Sequence, residues 1–374
     1  MERENRQVLP VKEIIRLCVN RNVSFFVYRL PGERSVTIGI QTSKHQYAVD
    51  LTDEKQLPGF VFTPFAKTET CTGRFIRADI LLSDLSAEHF SLTKLEEMIP
   101  LFLPESSSVI GRDTAEPKES YLQTIGRLVS RIQATDLRKV VYARQIESSA
   151  CNKELYYGVF KVLLERFPDA FVSLVHLSGE ETWMGASPEL LLSNIPGKGF
   201  KTIALAGTKP VEKKTWGKKE IEEQEMVRLY VERILADQQI TAIQSERYTR
   251  TAGNVSHLCT SFSSETALPF SRLSEVVSAL HPTPAVCGLP KEEALQLILE
   301  SEPFDRRYYA GYLGPVSSEG VRLFVNLRCF RLDAAKTVVY VGGGITQDSD
   351  PVEEWNETCL KAQRLLDIIT NRSK

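Results

Sequence analysis

Apolar residues recur at helical spacing through Tyr121, Leu122, Ile125, Leu128, Val129 and Ile132, and the chain then enters Lys139-Val-Val-Tyr-Ala-Arg144, which reads as a buried strand. The same periodicity predicts helices over residues 155–167, 219–237, 273–280, 291–301 and 352–370, and a short one over 92–99. Alternating or β-branched runs predict strands over 24–29, 35–40, 171–177, 182–193, 321–332 and 337–341. Strands fall in adjacent runs and do not alternate strictly with helices. That order predicts antiparallel sheets with helices on the outside, an α+β fold. Pro104 to Pro117 is polar and reads as a linker, dividing a strand-rich part, 1–104, from a larger part, 118–374. The two are expected to pack as one structural unit.

Composition narrows the partners. The 374 residues carry 46 Lys+Arg against 48 Asp+Glu, and neither nucleic acid nor an anionic membrane is expected to bind so balanced a chain. No apolar run approaches the ~20 residues of a membrane helix, and the acidic start is no secretory signal. Seven cysteines form an odd set without a Cys-x-x-Cys pair, which predicts reduced thiols in a cytoplasm. Five histidines, none paired with Cys or His at ligand spacing, give no reason to expect a zinc site, so a metal is expected to be a hard cation on carboxylates.

Two familiar motifs fail. Gly185-Ala-Ser-Pro-Glu189 starts as a nucleophile elbow but ends on Glu189 where glycine is needed, so Ser187 is not read as a nucleophile. Gly342-Gly-Gly-Ile-Thr-Gln347 lacks the third glycine of a dinucleotide turn, though its backbone can still hold an anion. Two acid pairs stand out instead. Glu220 and Glu223 share a helical stripe with Val227, Val231 and Ile234, and Glu354 and Glu357 share one with Lys361, Leu365 and Ile368. Solvated glutamates favoured by a helix N-terminus are the competing reading. Four acids aimed inward need a cation, and Mg²⁺ suits carboxylates that leave room for an anionic substrate.

With these pairs the sequence resembles the chorismate-utilising enzymes, the isochorismate, salicylate, anthranilate and aminodeoxychorismate synthases. The resemblance runs in the family's order from about Tyr121 to Lys361. It takes in Lys139-Val-Val-Tyr-Ala-Arg, Gly185-Ala-Ser-Pro-Glu-Leu-Leu-Leu, Ala204-Leu-Ala-Gly-Thr-Lys-Pro and Val255-Ser-His-Leu. It continues through His281-Pro-Thr-Pro-Ala-Val, Glu302-Pro-Phe-Asp-Arg, Tyr309-Ala-Gly, Val325-Asn-Leu-Arg and Gly342-Gly-Gly-Ile to Glu354 and Glu357. It implies an α/β/β/α sandwich in which two large antiparallel β-sheets pack together with helices outside. Ala206 and Lys139 disfavour the amine-adding members, and the His281-Pro-Thr-Pro-Ala-Val form is most similar to isochorismate synthases. Gln224 and Lys209 depart from the family, which often has His and Arg there.

The resemblance implies that water attacks C2 of chorismate as the C4 hydroxyl leaves. Lys139 would be the base, a free amine of lowered pKa, and Glu189 the acid, of raised pKa. His257 matches a position near the leaving hydroxyl; a buried core histidine is the competing reading. Glu223 and Glu357 would hold Mg²⁺, with Glu220 and Glu354 on its waters. Tyr309, Arg328, Lys361 and the Gly343 and Gly344 backbone would bind the substrate's carboxylate, and Gly207 and Thr208 its ring face. The expected partner is chorismate alone, on a monomer or weak homo-oligomer, with the product feeding menaquinone or siderophore biosynthesis. A salicylate synthase and a non-catalytic chorismate binder are the alternatives.

Overall fold

The computed structural model describes residues 10–51, 57–69, 71–83, 91–103, 115–149, 151–252, 255–333 and 336–370, so most of the expected linker lies outside the described residues. First come α1 (Val11–Arg21), β1 (Phe25–Arg29), β2 (Thr37–Ile40), β3 (Gly59–Thr63), β4 (Arg74–Arg77) and β5 (Ile80–Ser83). Next are α2 (Leu92–Met98), α3 (Lys118–Gln133), β6 (Lys139–Ser149), α4 (Tyr156–Arg166), β7 (Phe171–His176), β8 (Thr182–Ser187), β9 (Leu190–Ile195) and β10 (Gly199–Pro210). Then follow α5 (Lys218–Asp237), β11 (Ile243–Gln244), β12 (Tyr248–Ala252), β13 (Val255–Ser264), α6 (Phe270–Leu280), β14 (Gly288–Leu289) and α7 (Lys291–Ser301). The last are β15 (Tyr312–Ser317), β16 (Gly320–Val325), β17 (Cys329–Leu332), β18 (Lys336–Ile345) and α8 (Pro351–Thr370).

The strands make two antiparallel sheets. One runs β14-β6-β18-β17-β8-β7-β1-β2-β5 and the other β11-β13-β10-β9-β16-β15-β3-β4, with β12 beside β13. The strands before residue 104 extend one edge of each sheet. Between the sheets lies an aromatic core in which Phe62 stacks on Tyr308 at 3.8 Å and Phe171 on Phe324 at 4.2 Å. A second core packs Ile14, Val159, Leu163, Leu365 and Ile369 of the outer helices against Val27, Leu174 and Val339 of the first sheet. Helix α5 buries Val227, Val231 and Leu235, and Ile234, expected on the same stripe, is only partly buried because the buried face is shifted by one residue at that turn. No helix among the described residues is long and apolar enough to cross a membrane, and all seven cysteines are free thiols.

Two stretches that pattern alone predicts as single strands, 182–193 and 321–332, each divide between the sheets. Pro188, which cannot donate to a ladder, separates β8 of the first sheet from β9 of the second. Between β16 and β17 the chain turns at Arg328, whose φ of 49° is left-handed. Burial on both faces removes the alternation that would mark such breaks. Strand β18 pairs with β6 over its whole length but with β17 only over Thr337–Val339. From Tyr340 to Ile345 one edge of β18 is therefore open among the described residues.

Candidate active site

A cavity of about 660 Å³ lies at that open edge, bounded by β10, β13, α5, α8 and the two crossings between the sheets. Glu189, Gly207, Thr208, Glu223, His257, Tyr309, Arg328, Gly344, Glu357 and Lys361 line it. Lys139, Glu220, Glu354 and Gly343 are not among the lining residues. The glycine run explains part of this division. Gly342 turns its carbonyl to the open edge, where it accepts from Lys361 Nζ at 3.0 Å. Polar groups alternate along an antiparallel strand, so Gly344 shares that edge and Gly343 directs its own toward Tyr142 of β6. Gly344 thus keeps its backbone groups at the open edge, while those of Gly343 are spent in the ladder.

Glu189 occupies the first crossing and is 4% exposed. Burial pushes its carboxyl up to about 8, while Lys139, Thr283 and Arg250 pull the other way. A carboxylic acid that keeps its proton at neutral pH is what the acid role needs. Ser187, two residues earlier, donates its hydroxyl to the Val325 carbonyl and is engaged in holding the crossing. Lys139 begins β6 and is fully buried, with Nζ 2.7 Å from Glu223 Oε1. The free amine expected from sequence is an ion pair instead, because a buried ammonium requires a counter-charge.

The other acids are also met by lysines. Lys361 lies 2.7 Å from Glu357, Lys219 2.9 Å from Glu354, and Lys213 3.5 Å from Glu220. Lys361 holds the Glu357 carboxyl below the ordinary carboxylate value. Four acids do not converge on one point: among the described residues no group of three His, Cys, Asp or Glu is placed to hold a metal. Glu220 faces the loop before α5, and Glu354 sits behind the glycine strand, where Ser349 donates to it at 2.7 Å. One feature of the cavity still suits a hard cation: Gly344 leaves open a space in which a Cβ would lie 3.1 Å from Glu223 Oε1. Mg²⁺ needs only one or two carboxylates besides waters and substrate oxygens, so Glu223 and Glu357 on the cavity wall fit it.

The second crossing supplies the anion-binding groups. Asn326 donates from Nδ2 to the Tyr308 carbonyl at 2.9 Å, and its own carbonyl accepts from Ala310 N–H at 2.9 Å. These bonds clip the Tyr309 turn to the segment carrying Arg328. Burial, then the like charges of Arg364 and Arg250, bring the Arg328 guanidinium down to about 10. An anion in the cavity relieves that repulsion. Arg328 Nη2 reaches His257 Nε2 at 2.9 Å, and His257 Nδ1 lies 3.2 Å from Thr208 Oγ1. Gly207, with φ 67°, forms the bulge that brings Thr208 there; a Cβ on it would meet the Glu220 carbonyl at 2.7 Å.

Some residues escape the sequence reading. Lys219 and Arg364 both line the cavity. Arg364 stands seven residues after Glu357 and Lys219 four before Glu223, so helical spacing alone puts each on its acid's face. The family-like Glu302-Pro-Phe-Asp-Arg306 stretch is a clamp: Glu302 accepts from Ala143 N–H at 2.7 Å, and Arg306 donates to the Val286 and Val141 carbonyls at 2.8 and 2.7 Å. Gln224 is fully buried and donates to Thr260 Oγ1 at 3.1 Å, tying α5 to β13. Lys209 lies over the Trp216 ring at 4.6 Å, so positive charge is kept at that position.

Known proteins share this frame. The isochorismate synthase EntC of Escherichia coli (strain K12) is 31% identical over 286 residues, covering 71% of this chain and 70% of that protein. A protein described as the putative isochorismate synthase MenF of Mycobacterium tuberculosis (strain ATCC 25618 / H37Rv) is 32% identical over 276 residues, covering 67% and 73%. Among solved structures, the menaquinone-specific isochorismate synthase MenF of Escherichia coli superposes with a TM-score of 0.77 at 21% identity, over 96% of this chain and 91% of that one. Anthranilate synthase component I of Streptococcus pneumoniae TIGR4 gives 0.66 at 18%, over 91% and 89%. These two share the fold. The sequence itself matches the family described as chorismate binding enzyme over residues 74–370, which hold both crossings, the glycine strand and the two acid-bearing helices, and the chain therefore belongs to the chorismate-binding enzymes.

Proposed function

We propose that this protein is an isochorismate synthase: it adds water at C2 of chorismate with loss of the C4 hydroxyl. The observation that carries the reading is a buried, proton-retaining Glu189 on a cavity that also holds Arg328 and Tyr309, with the buried Lys139 directly behind Glu223 of the cavity wall. Its relatives named as isochorismate synthases support the same conclusion.

Once its ammonium has released a proton to solvent and parted from Glu223, Lys139 takes a proton from the attacking water, whose oxygen bonds to C2. Both ring double bonds shift by one position, from C1–C2 and C5–C6 to C1–C6 and C4–C5, and the C4–O bond breaks as Glu189 gives its proton to the departing hydroxyl, which leaves as water. Arg328 and Tyr309 hold the enolpyruvyl carboxylate, and Lys361 and the Gly344 backbone add positive potential and a donor at the open strand edge. Glu223 and Glu357 would hold Mg²⁺, which when bound supplies charge screening and orientation for the ring carboxylate. The product would enter menaquinone or siderophore biosynthesis.

The test is incubation of purified protein with chorismate and Mg²⁺, followed by chromatographic separation. Isochorismate in equilibrium with chorismate is expected. Salicylate with pyruvate would instead identify a salicylate synthase, and no turnover would leave a binding protein.

A further inference from the structure

His257 lies on β13, opposite Thr208 of β10 and Arg250 of β12. Its two ring nitrogens face partners of opposite hydrogen-bonding character. Nδ1 is 3.3 Å from the Gly207 carbonyl, which can only accept, so Nδ1 carries the ring proton. Nε2 is 2.9 Å from Arg328 Nη2, and a guanidinium can only donate, so Nε2 presents its lone pair. One proton and one lone pair are what a neutral imidazole has. Placing a second proton on Nε2 would set two donors against each other.

The surroundings oppose that second proton as well. Burial, then the charges of Arg328 and Lys361, drive the His257 pKa down to about 3, against a weaker upward pull from the Gly207 carbonyl. Arg328, in turn, leaves the backbone in a left-handed conformation, with Arg364 and Arg250 repelling it. Its direction is therefore sensitive to the acceptor that receives Nη2.

We propose that His257 is a positioning residue: it holds the Arg328 guanidinium in the orientation that receives the substrate's side-chain carboxylate, and it neither gives nor takes a proton during turnover. The inference rests on the reading of the cavity as a chorismate site. It replaces the expectation that His257 serves the leaving hydroxyl.

Two measurements test it. In protein labelled with ¹⁵N-histidine, the resonances lost in His257→Gln report the wild-type ring at pH 7. The Nδ1–H neutral tautomer is expected; an Nε2–H tautomer or an imidazolium overturns the proposal, and neither outcome depends on substrate. In steady-state kinetics with chorismate and Mg²⁺, His257→Phe should raise KM roughly tenfold or more with little change in kcat, as loss of a hydrogen bond to a charged group predicts. His257→Gln keeps a side-chain acceptor and should recover most of that loss. A fall in kcat at unchanged KM, not recovered by glutamine, would overturn the positioning role while leaving the synthase reading intact. A wild-type protein that neither binds nor converts chorismate would sink the synthase reading, and the positioning role with it.

Discussion

Lys139 Nζ and Glu223 Oε1 lie 2.7 Å apart, yet the lysine is fully buried while the glutamate side chain is 23% exposed toward the cavity. The pair ties β6 of one sheet to α5, which packs on the other. Its two ends are not equivalent, because only one has water within reach when the other is removed.

Mutation should expose that asymmetry. Lys139→Met fills the same volume and leaves a carboxylate that water can solvate, so turnover should vanish while the thermal midpoint moves little. Glu223→Ala leaves a buried ammonium without a counter-ion and should cost about 3 kcal/mol or more, read by denaturant unfolding. Equal losses from the two variants would contradict the burial of Lys139.

Glu189 gives a pH dependence of definite sign. Its pKa in the fold, about 8, exceeds the ordinary 4.5, so the folded state holds a proton that the unfolded state releases between those values. Its contribution to stability is full below about 4.5 and is lost as pH rises through about 8. Glu189→Gln should flatten this decline in a series of thermal melts and abolish turnover at every pH. Wild-type activity should fall as pH rises through about 8, as the acid loses its proton.

Gly344 is required for space. A Cβ there would sit 2.8 Å from Lys139 Cε and 3.1 Å from Glu223 Oε1. Gly344→Ala should therefore reduce kcat/KM strongly in a protein that still folds, because two side chains can give way where a backbone cannot. Gly207→Ala meets the Glu220 carbonyl and a positive φ together, and should lower the unfolding midpoint as well.

Arg364 lines the cavity, and its guanidinium influences Arg328. Arg364→Gln should lower kcat/KM by roughly threefold to tenfold at low ionic strength, with the difference from wild type shrinking as salt is added. A salt-independent defect would point to a packing role instead.

Each of the four predicted acids already faces a lysine, so the fold does not need a cation to neutralise them. A chelator should stop turnover while changing the thermal midpoint by no more than about 3 °C. A large fall in midpoint would show that the metal is structural.

The helices were the most legible part of this molecule in its sequence. Val227 and Val231 announce the inward stripe of α5, and Leu365 and Ile368 that of α8, because one-sided burial writes a period. The places where β8 becomes β9 and β16 becomes β17 were hidden, since strands buried on both faces show no alternation. Glu189 and Arg328 were found through their motifs, but their shared setting, each at a crossing between sheets, needed the fold. The lysine partners of the acids were equally out of reach: Lys139 and Glu223 are 84 positions apart, and no periodicity connects them. That Gly343 turns its carbonyl into the ladder and Gly344 toward the open edge was hidden too, because a sequence lists glycines without saying which way each points.

The open edge of β18 has a consequence for specificity. Exposed strand edges recruit other strands, and proteins usually cover them. Here α8 and the crossing at Arg328, not a further strand, share the cavity beside this edge. Lys361 fills the Gly342 carbonyl, and a ligand held at Gly344 would be met by the polypeptide backbone itself and not by a side chain. Side-chain changes that alter what the pocket accepts would then fall on the opposite wall, formed by β10 and β13.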